Sequence, residues 1–176
     1  MLEKLFVSII QVIILFLPAG IANIAPVLVK KINFFNKPIS EKLFGLHKTY
    51  RGFIFGIIAA IIIIYLEYLL SPFIDSKYLL VNYSSINLAW LGFLLGFGAL
   101  FGDLAKSFFK RRMDISPGKT WPFFDQLDYI VGAVLFVSFY LYIPGEINLL
   151  AIILFGLLHP ITNYLGFLVG LKKNKF

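Results

Sequence analysis

The sequence predicts an all-α polytopic membrane protein of five transmembrane helices, and three observations carry that prediction. The 176 residues are 60% hydrophobic with a mean hydropathy of +0.88, which no soluble core of this size requires. The apolar residues fall in long runs nearly free of charge, each near the 17 to 25 residues that a helix needs to cross a bilayer. The cationic residues gather in alternate gaps between those runs.

The runs are Leu5–Val29, Phe53–Leu70, Ile86–Gly102, Tyr129–Gly145 and Ile147–Leu171, and Glu67 in the second is their one charged residue. Backbone N–H and C=O groups in lipid must be satisfied within their own segment, so each run reads as a helix. The first run is about twice the length of a signal-peptide core and lacks a small-residue cleavage site, so it is expected to be a retained span. The whole chain, 1–176, reads as one membrane-embedded domain.

Orientation follows from the lysines and arginines. Fourteen of the sixteen lie after span one, after span three or at the C-terminus, and only Lys4 and Lys77 fall on the other side. The N-terminus is therefore expected outside, the C-terminus in the cytoplasm, and the protein in the cell membrane. Tyr65, Tyr68, Tyr83 and Trp90 on the outer side, with Trp121 and Tyr129 on the inner, suit aromatic belts. The net charge of +7 favours anionic lipids and phosphate-bearing substrates. A nucleic-acid role is excluded, since no soluble domain presents a reading element. With no cysteine there is neither a disulfide framework nor a thiolate metal site.

The stretch from Gly102 to Gly132 breaks the apolar pattern, with four of the nine acidic and five of the sixteen basic residues. Asp103 follows directly on span three, and Ser107, Lys110 and Arg111 come at i+4, i+7 and i+8. If the helix continues past the bilayer, these four share one face. Basic residues alone would mark only orientation, but a carboxylate at the membrane boundary is costly and is a functional candidate.

Ser116-Pro117-Gly118-Lys119 is a turn signal that reverses the chain. It brings back Asp125 and Asp128, which are i, i+3 neighbours able to face the same way. Asp125 also suits a helix cap. Three aspartates at one membrane face with cations between them fit a magnesium site better than three separate caps, because Mg²⁺ takes hard oxygen ligands together with substrate phosphates. One bound ion or two are both compatible with the spacing.

The other inner segment supplies Lys48, Thr49 and Arg51 at the start of span two, where free backbone N–H groups also suit anions. Asn23 with Pro26 in span one, and His159-Pro160 with Asn163 in span five, are the polar exceptions within the spans. Each serves equally as helix-to-helix hydrogen bonding or as a substrate contact. Gly92, Gly96 and Gly102 suit close helix packing.

At these residues the chain resembles the CDP-archaeol synthase family, which belongs with the CTP-dependent phosphatidate cytidylyltransferases. The resemblance rests on Gly102-Asp103-Leu104, Ser107, Lys110-Arg111, Pro117-Gly118 and Asp125-x-x-Asp128. Asn23 and Pro26, the run His47-Lys48-Thr49-Tyr50-Arg51-Gly52, and His159-Pro160 with Asn163 extend it over nearly the whole chain. Gln126 stands where the wider superfamily has arginine, and Lys119-Thr120-Trp121 where many bacterial members have a histidine and glycines; both fit the shorter archaeal-type branch.

The resemblance implies a CTP:lipid-phosphate cytidylyltransferase that joins CTP to a membrane lipid phosphate and releases pyrophosphate, giving CDP-archaeol from an unsaturated archaetidic acid. It implies Mg²⁺ on Asp103, Asp125 and Asp128. Phosphates would be held by Lys48, Arg51, Lys110, Arg111 and Lys119, with Ser107 and Thr49 as hydroxyl donors and Asn23, His159 and Asn163 toward the substrate. The alternatives are a CDP-diacylglycerol synthase acting on ester lipids, and, outside enzymes, a small transporter or an anionic-lipid scaffold. A transporter would more usually put its polar site near the bilayer midplane, and a scaffold needs no aspartates.

Overall fold

The computed structural model of the protein describes residues 2–116, 119–168 and 170. Among these residues six α-helices follow in order: α1 (Leu2–Leu28), α2 (Glu41–Phe44), α3 (Tyr50–Leu70), α4 (Leu88–Arg112), α5 (Phe124–Val137) and α6 (Gly145–Leu168). Among the described residues there is no β-strand, only an isolated bridge between Pro38 and Thr49. Pro117, Gly118, Leu171, Lys172, Lys173 and Lys175 lie outside the described residues.

Side-chain caps set where several helices begin. Ser40 Oγ accepts from Leu43 N, Thr49 Oγ1 from Gly52 N at 3.2 Å and Asn87 Oδ1 from Trp90 N at 3.0 Å, each satisfying a first-turn N–H that has no partner within its helix.

Among the described residues four segments are long and apolar enough to cross a membrane: Leu2–Lys31, Tyr50–Phe73, Leu88–Arg112 and Gly145–Leu168. The chain is thus an integral membrane protein of helical architecture. The run expected from Tyr129 to Gly145 folds differently, as the shorter α5, 14 residues long, or about 21 Å at 1.5 Å per residue. The helix stops at Val137, and the chain continues as a turn over 138–140 and a bend at Leu141, with the Asn87 N–H donating to Tyr140 Oη at 2.9 Å.

Helix α4 lies at the centre, packed on α5, α3 and α1. The seams are built from small residues, with Ala19, Ala22, Ala60, Ala99, Ala133 and Ala151 all fully buried, as expected where close van der Waals contact replaces the hydrophobic effect between helices in lipid. Larger side chains such as Ile58, Ile62, Leu69, Leu149 and Leu157 point outward. Tyr65, Tyr68 and Trp90 are exposed as belt residues should be, but Tyr83 and Tyr129 are buried. Their hydroxyls are spent internally, Tyr83 donating to Glu67 Oε2 and Tyr129 to the Phe155 carbonyl.

Candidate functional site

Helix α4 runs ten residues beyond Gly102 and carries the first half of the site past the apolar core. On it Asp103, Lys106, Ser107, Lys110 and Arg111 line one cavity. Ser107 and Lys110 are buried, though both are polar. Ser107 Oγ donates to the Asp103 carbonyl one turn back at 2.8 Å, so its proton is engaged inside the helix and its oxygen remains as an acceptor.

Helix α5 carries the second half. Phe123, with φ at +66°, occupies the position before its first turn, so Asp125 is not the cap that its sequence allowed. Instead Asp125 Oδ2 accepts from Trp121 N at 2.5 Å and ties down the incoming segment, where Trp121 stacks on Phe124 at 4.2 Å.

Two glycines decide how near these halves stand. A Cβ on Gly102 would lie 2.1 Å from the Asp128 carbonyl oxygen, and one on Gly132 would lie 2.1 Å from that of Gly98. No side chain fits at either point, so α4 and α5 meet backbone to backbone. That contact sets Asp103 and Asp128 beside each other.

Lys106 sits where the carboxylates converge. Its Nζ is 3.2 Å from Asp103 Oδ1, 3.2 Å from Asp125 Oδ1 and 2.5 Å from Asp128 Oδ2. Lys48 pairs with the other oxygen of Asp103, and Lys110 reaches Asp125 at 3.1 Å. Burial alone would raise the Asp125 carboxyl, but the Trp121 N–H, Lys106 and Lys110 outweigh it and hold the group below the ordinary carboxylate range. Asp128 goes the other way: burial and then the Asp103 charge push it up to about 7, against the pull of Lys106.

Around this cluster lies a cavity of about 900 Å³. Twelve of the thirteen residues singled out from the sequence line it: Asn23 on α1; Lys48, Thr49 and Arg51 at the start of α3; Asp103, Ser107, Lys110 and Arg111 on α4; Lys119 between α4 and α5; Asp125 on α5; and His159 and Asn163 on α6. Asp128 does not line the cavity and stands behind Lys106.

Several of these side chains have structural tasks as well. Thr49 Oγ1 caps α3, and Arg51 Nη1 donates to the Ile32 carbonyl, clasping the first inner loop. Lys110 Nζ donates to the Lys119 carbonyl at 2.6 Å and to Asp125, which holds the loop to the helix. Buried Nε atoms of Arg51 and Arg111 lack hydrogen-bond partners among the described residues, leaving donors at the cavity wall for an anion. The His159 ring stands edge-on to Tyr129 at 5.2 Å. Lys106 was read in the sequence only as an orientation residue. Its signal was the spacing i, i+3, i+4, i+7 of Asp103, Lys106, Ser107 and Lys110, a tighter stripe than the one without it.

Among the described residues no three acidic or histidine side chains group as a set able to share one metal ion; the Lys106 ammonium stands between the three carboxylates. The donor chemistry nonetheless fits a hard cation, because each aspartate aims an oxygen at one point that already carries positive charge.

Comparisons with known proteins identify relatives of the chain. The profile of the CarS-like CDP-archaeol synthase family matches residues 5–176. A CDP-archaeol synthase of Methanosarcina barkeri is 40% identical over 147 residues, covering 76% of this chain and 82% of that protein. Another, from Methanococcus maripaludis, is 31% identical over 164 residues, covering 89% and 90%. The fold is similar to a solved intramembrane enzyme of archaeal membrane lipid biosynthesis, with a TM-score of 0.68 at 30% identity over 86% of this chain and 91% of that one.

Proposed function

The chain belongs to the CDP-archaeol synthase family, and from that premise we propose how its cavity carries out the reaction. The protein is a CTP-dependent cytidylyltransferase that forms CDP-archaeol. A phosphate oxygen of the lipid attacks the α-phosphorus of CTP, the bond from that phosphorus to the bridging oxygen breaks, and pyrophosphate leaves. The lipid phosphate is largely ionised near neutral pH, with a second pKa of about 6, so no side chain has to remove a proton.

The barrier is electrostatic, since two anions must meet and a third must depart. Lys48, Lys110, Arg111 and Lys119, with the Nε of Arg51, ring the cavity and bind the phosphates as their charge shifts. Asp103, Asp125 and Asp128 are the residues that would hold Mg²⁺. When bound, the ion neutralises phosphate charge and aligns attacking and leaving oxygens. Ser107 and Thr49 offer hydroxyl oxygens at the wall, and Asn23, His159 and Asn163 face the substrate from α1 and α6.

The fifth crossing, from Tyr129 to Gly145, completes the topology. The Asn87–Tyr140 contact supports it, because it ties the chain after α5 to the N-terminal end of α4, the end opposite the aspartates. With an odd number of crossings and the cationic segments on the cytoplasmic side, the N-terminus lies outside, the cavity opens to the cytoplasm where CTP is found, and the isoprenoid chains stay in the cell membrane. The whole chain acts as one membrane-embedded domain.

The observation that carries this reading is the convergence of those twelve residues, from six separate segments, on one cavity. A transporter or a lipid-holding scaffold does not account for it. The test is to incubate the purified protein with CTP labelled at the α-phosphate, Mg²⁺ and either an ether-linked isoprenoid lipid phosphate or an ester-linked diacyl one. Label is expected in a CDP-lipid with the ether substrate. Label with the ester substrate alone would place the protein with CDP-diacylglycerol synthases, and none with either would refute the enzymatic reading.

A further inference from the structure

Three carboxyl groups, of Asp103, Asp125 and Asp128, face three ammonium groups. Lys48 holds one oxygen of Asp103, Lys110 reaches Asp125, and Lys106 bridges all three, within 3.2 Å of each. Asp103 and Asp128 are largely shielded from solvent, at 16% and 5% side-chain exposure, while Asp125 keeps 25%. A divalent cation entering this cluster unaided adds two uncompensated positive charges to a place with little water to screen them, and must compete for oxygens already taken.

The same cavity shows where a displaced ammonium goes. Lys106 is on its wall beside Lys110 and Arg111, and four methylenes on a helix surface let its Nζ swing without moving the backbone. A nucleotide triphosphate brings the negative charge that releases it.

We propose that Lys106 is the resident counter-ion of the three aspartates, holding their place before substrate arrives and yielding it to the divalent cation when the nucleotide's phosphates take up its ammonium. Metal and nucleotide then bind as a coupled pair, each raising affinity for the other by the same factor. Without CTP the site refuses the metal, and the carboxylates do not repel one another apart. Lys106 is a positioning residue in this scheme, and the inference rests on the reading of the aspartates as metal ligands.

Binding of Mn²⁺ tests it, read from the electron paramagnetic resonance signal of the free ion, on intact protein in detergent. Lys106→Met and Lys106→Gln are compared with wild type, each without nucleotide and with a CTP analogue carrying a methylene between the α- and β-phosphorus. Removing the resident charge is expected to tighten Mn²⁺ binding without nucleotide by at least about tenfold, a change of about 1.4 kcal/mol, and to shrink the gain that the nucleotide gives. A merely structural role would weaken binding in both states. Lys77→Gln, on the far side of the molecule, is expected to match wild type.

If the wild type binds Mn²⁺ with the analogue but neither Lys106 variant binds it more tightly alone, this inference is overturned and the metal site stands. If wild type takes up no Mn²⁺ in any condition, the metal reading falls and this inference with it. Lys106→Gln keeps an amide that donates to the carboxylates and decides the matter if Lys106→Met does not fold. An affinity in wild type that is the same with and without nucleotide also overturns the coupling.

Discussion

At the scale of single residues, charge is concentrated where the molecule has least water to spare for it. Asp103 is held by Lys48 and Lys106, and Asp125 by Lys106, Lys110 and the Trp121 N–H. A neutral amide at either position keeps the volume and loses the charge. Asp103→Asn and Asp125→Asn are therefore expected to lower turnover at least about 100-fold, since even groups that only support a metal ligand cost 10- to 100-fold. Both proteins should still elute as folded species on gel filtration. Wild-type turnover in either would show that the cation is held elsewhere. Spacing along α4 was enough to pick out Asp103, Ser107, Lys110 and Arg111 from the sequence, because a helix repeat puts them on one side. Lys106 escaped that reading for a physical reason: a lysine at a membrane edge has an orientation signal to explain it, and only distances in space reveal three carboxylates around its nitrogen.

At the scale of elements, the contact between α4 and α5 governs the site. Gly102 and Gly132 let the backbones touch, and a Cβ at either would lie 2.1 Å from a carbonyl oxygen. Gly132→Ala is expected to force the helices apart at a cost of about 1 to 3 kcal/mol, the usual range for overpacking, and to reduce turnover although residue 132 lies a full turn beyond Asp128. Thermal unfolding and the CTP assay together check this, and a variant as stable and active as wild type would mean that the contact is slack. Gly102 was legible in the sequence as a packing residue, but its partner was not. Nothing in the spacing of α4 says which helix lies against it, and Gly132 reads as one more small residue in an apolar run. The early end of α5 at Val137 was likewise hidden, because hydropathy continues unchanged through Phe139 to Tyr142 while the backbone turns.

At the scale of the whole molecule, the proposed orientation makes a prediction that the absence of native cysteine makes easy to read. In sealed vesicles of known orientation, Lys77→Cys is expected to react with a membrane-impermeant maleimide from the outer side and Lys42→Cys only from the cytoplasmic side. Labelling of both from one side would mean an even number of crossings between them and would remove the proposed topology. What the sequence by itself determined is the solvent: runs too apolar for water and too long for a soluble core demand a helical membrane protein, because an unsatisfied backbone in lipid has no alternative partner. It also determined which residues were candidates, since carboxylates at the membrane boundary are too costly to be incidental. Only the tertiary structure decided that they form one site. Twelve residues from six segments meet around about 900 Å³ because glycine contacts set how closely the helices approach, and because one ammonium can satisfy three carboxylates only when their separate helices have been brought within its reach.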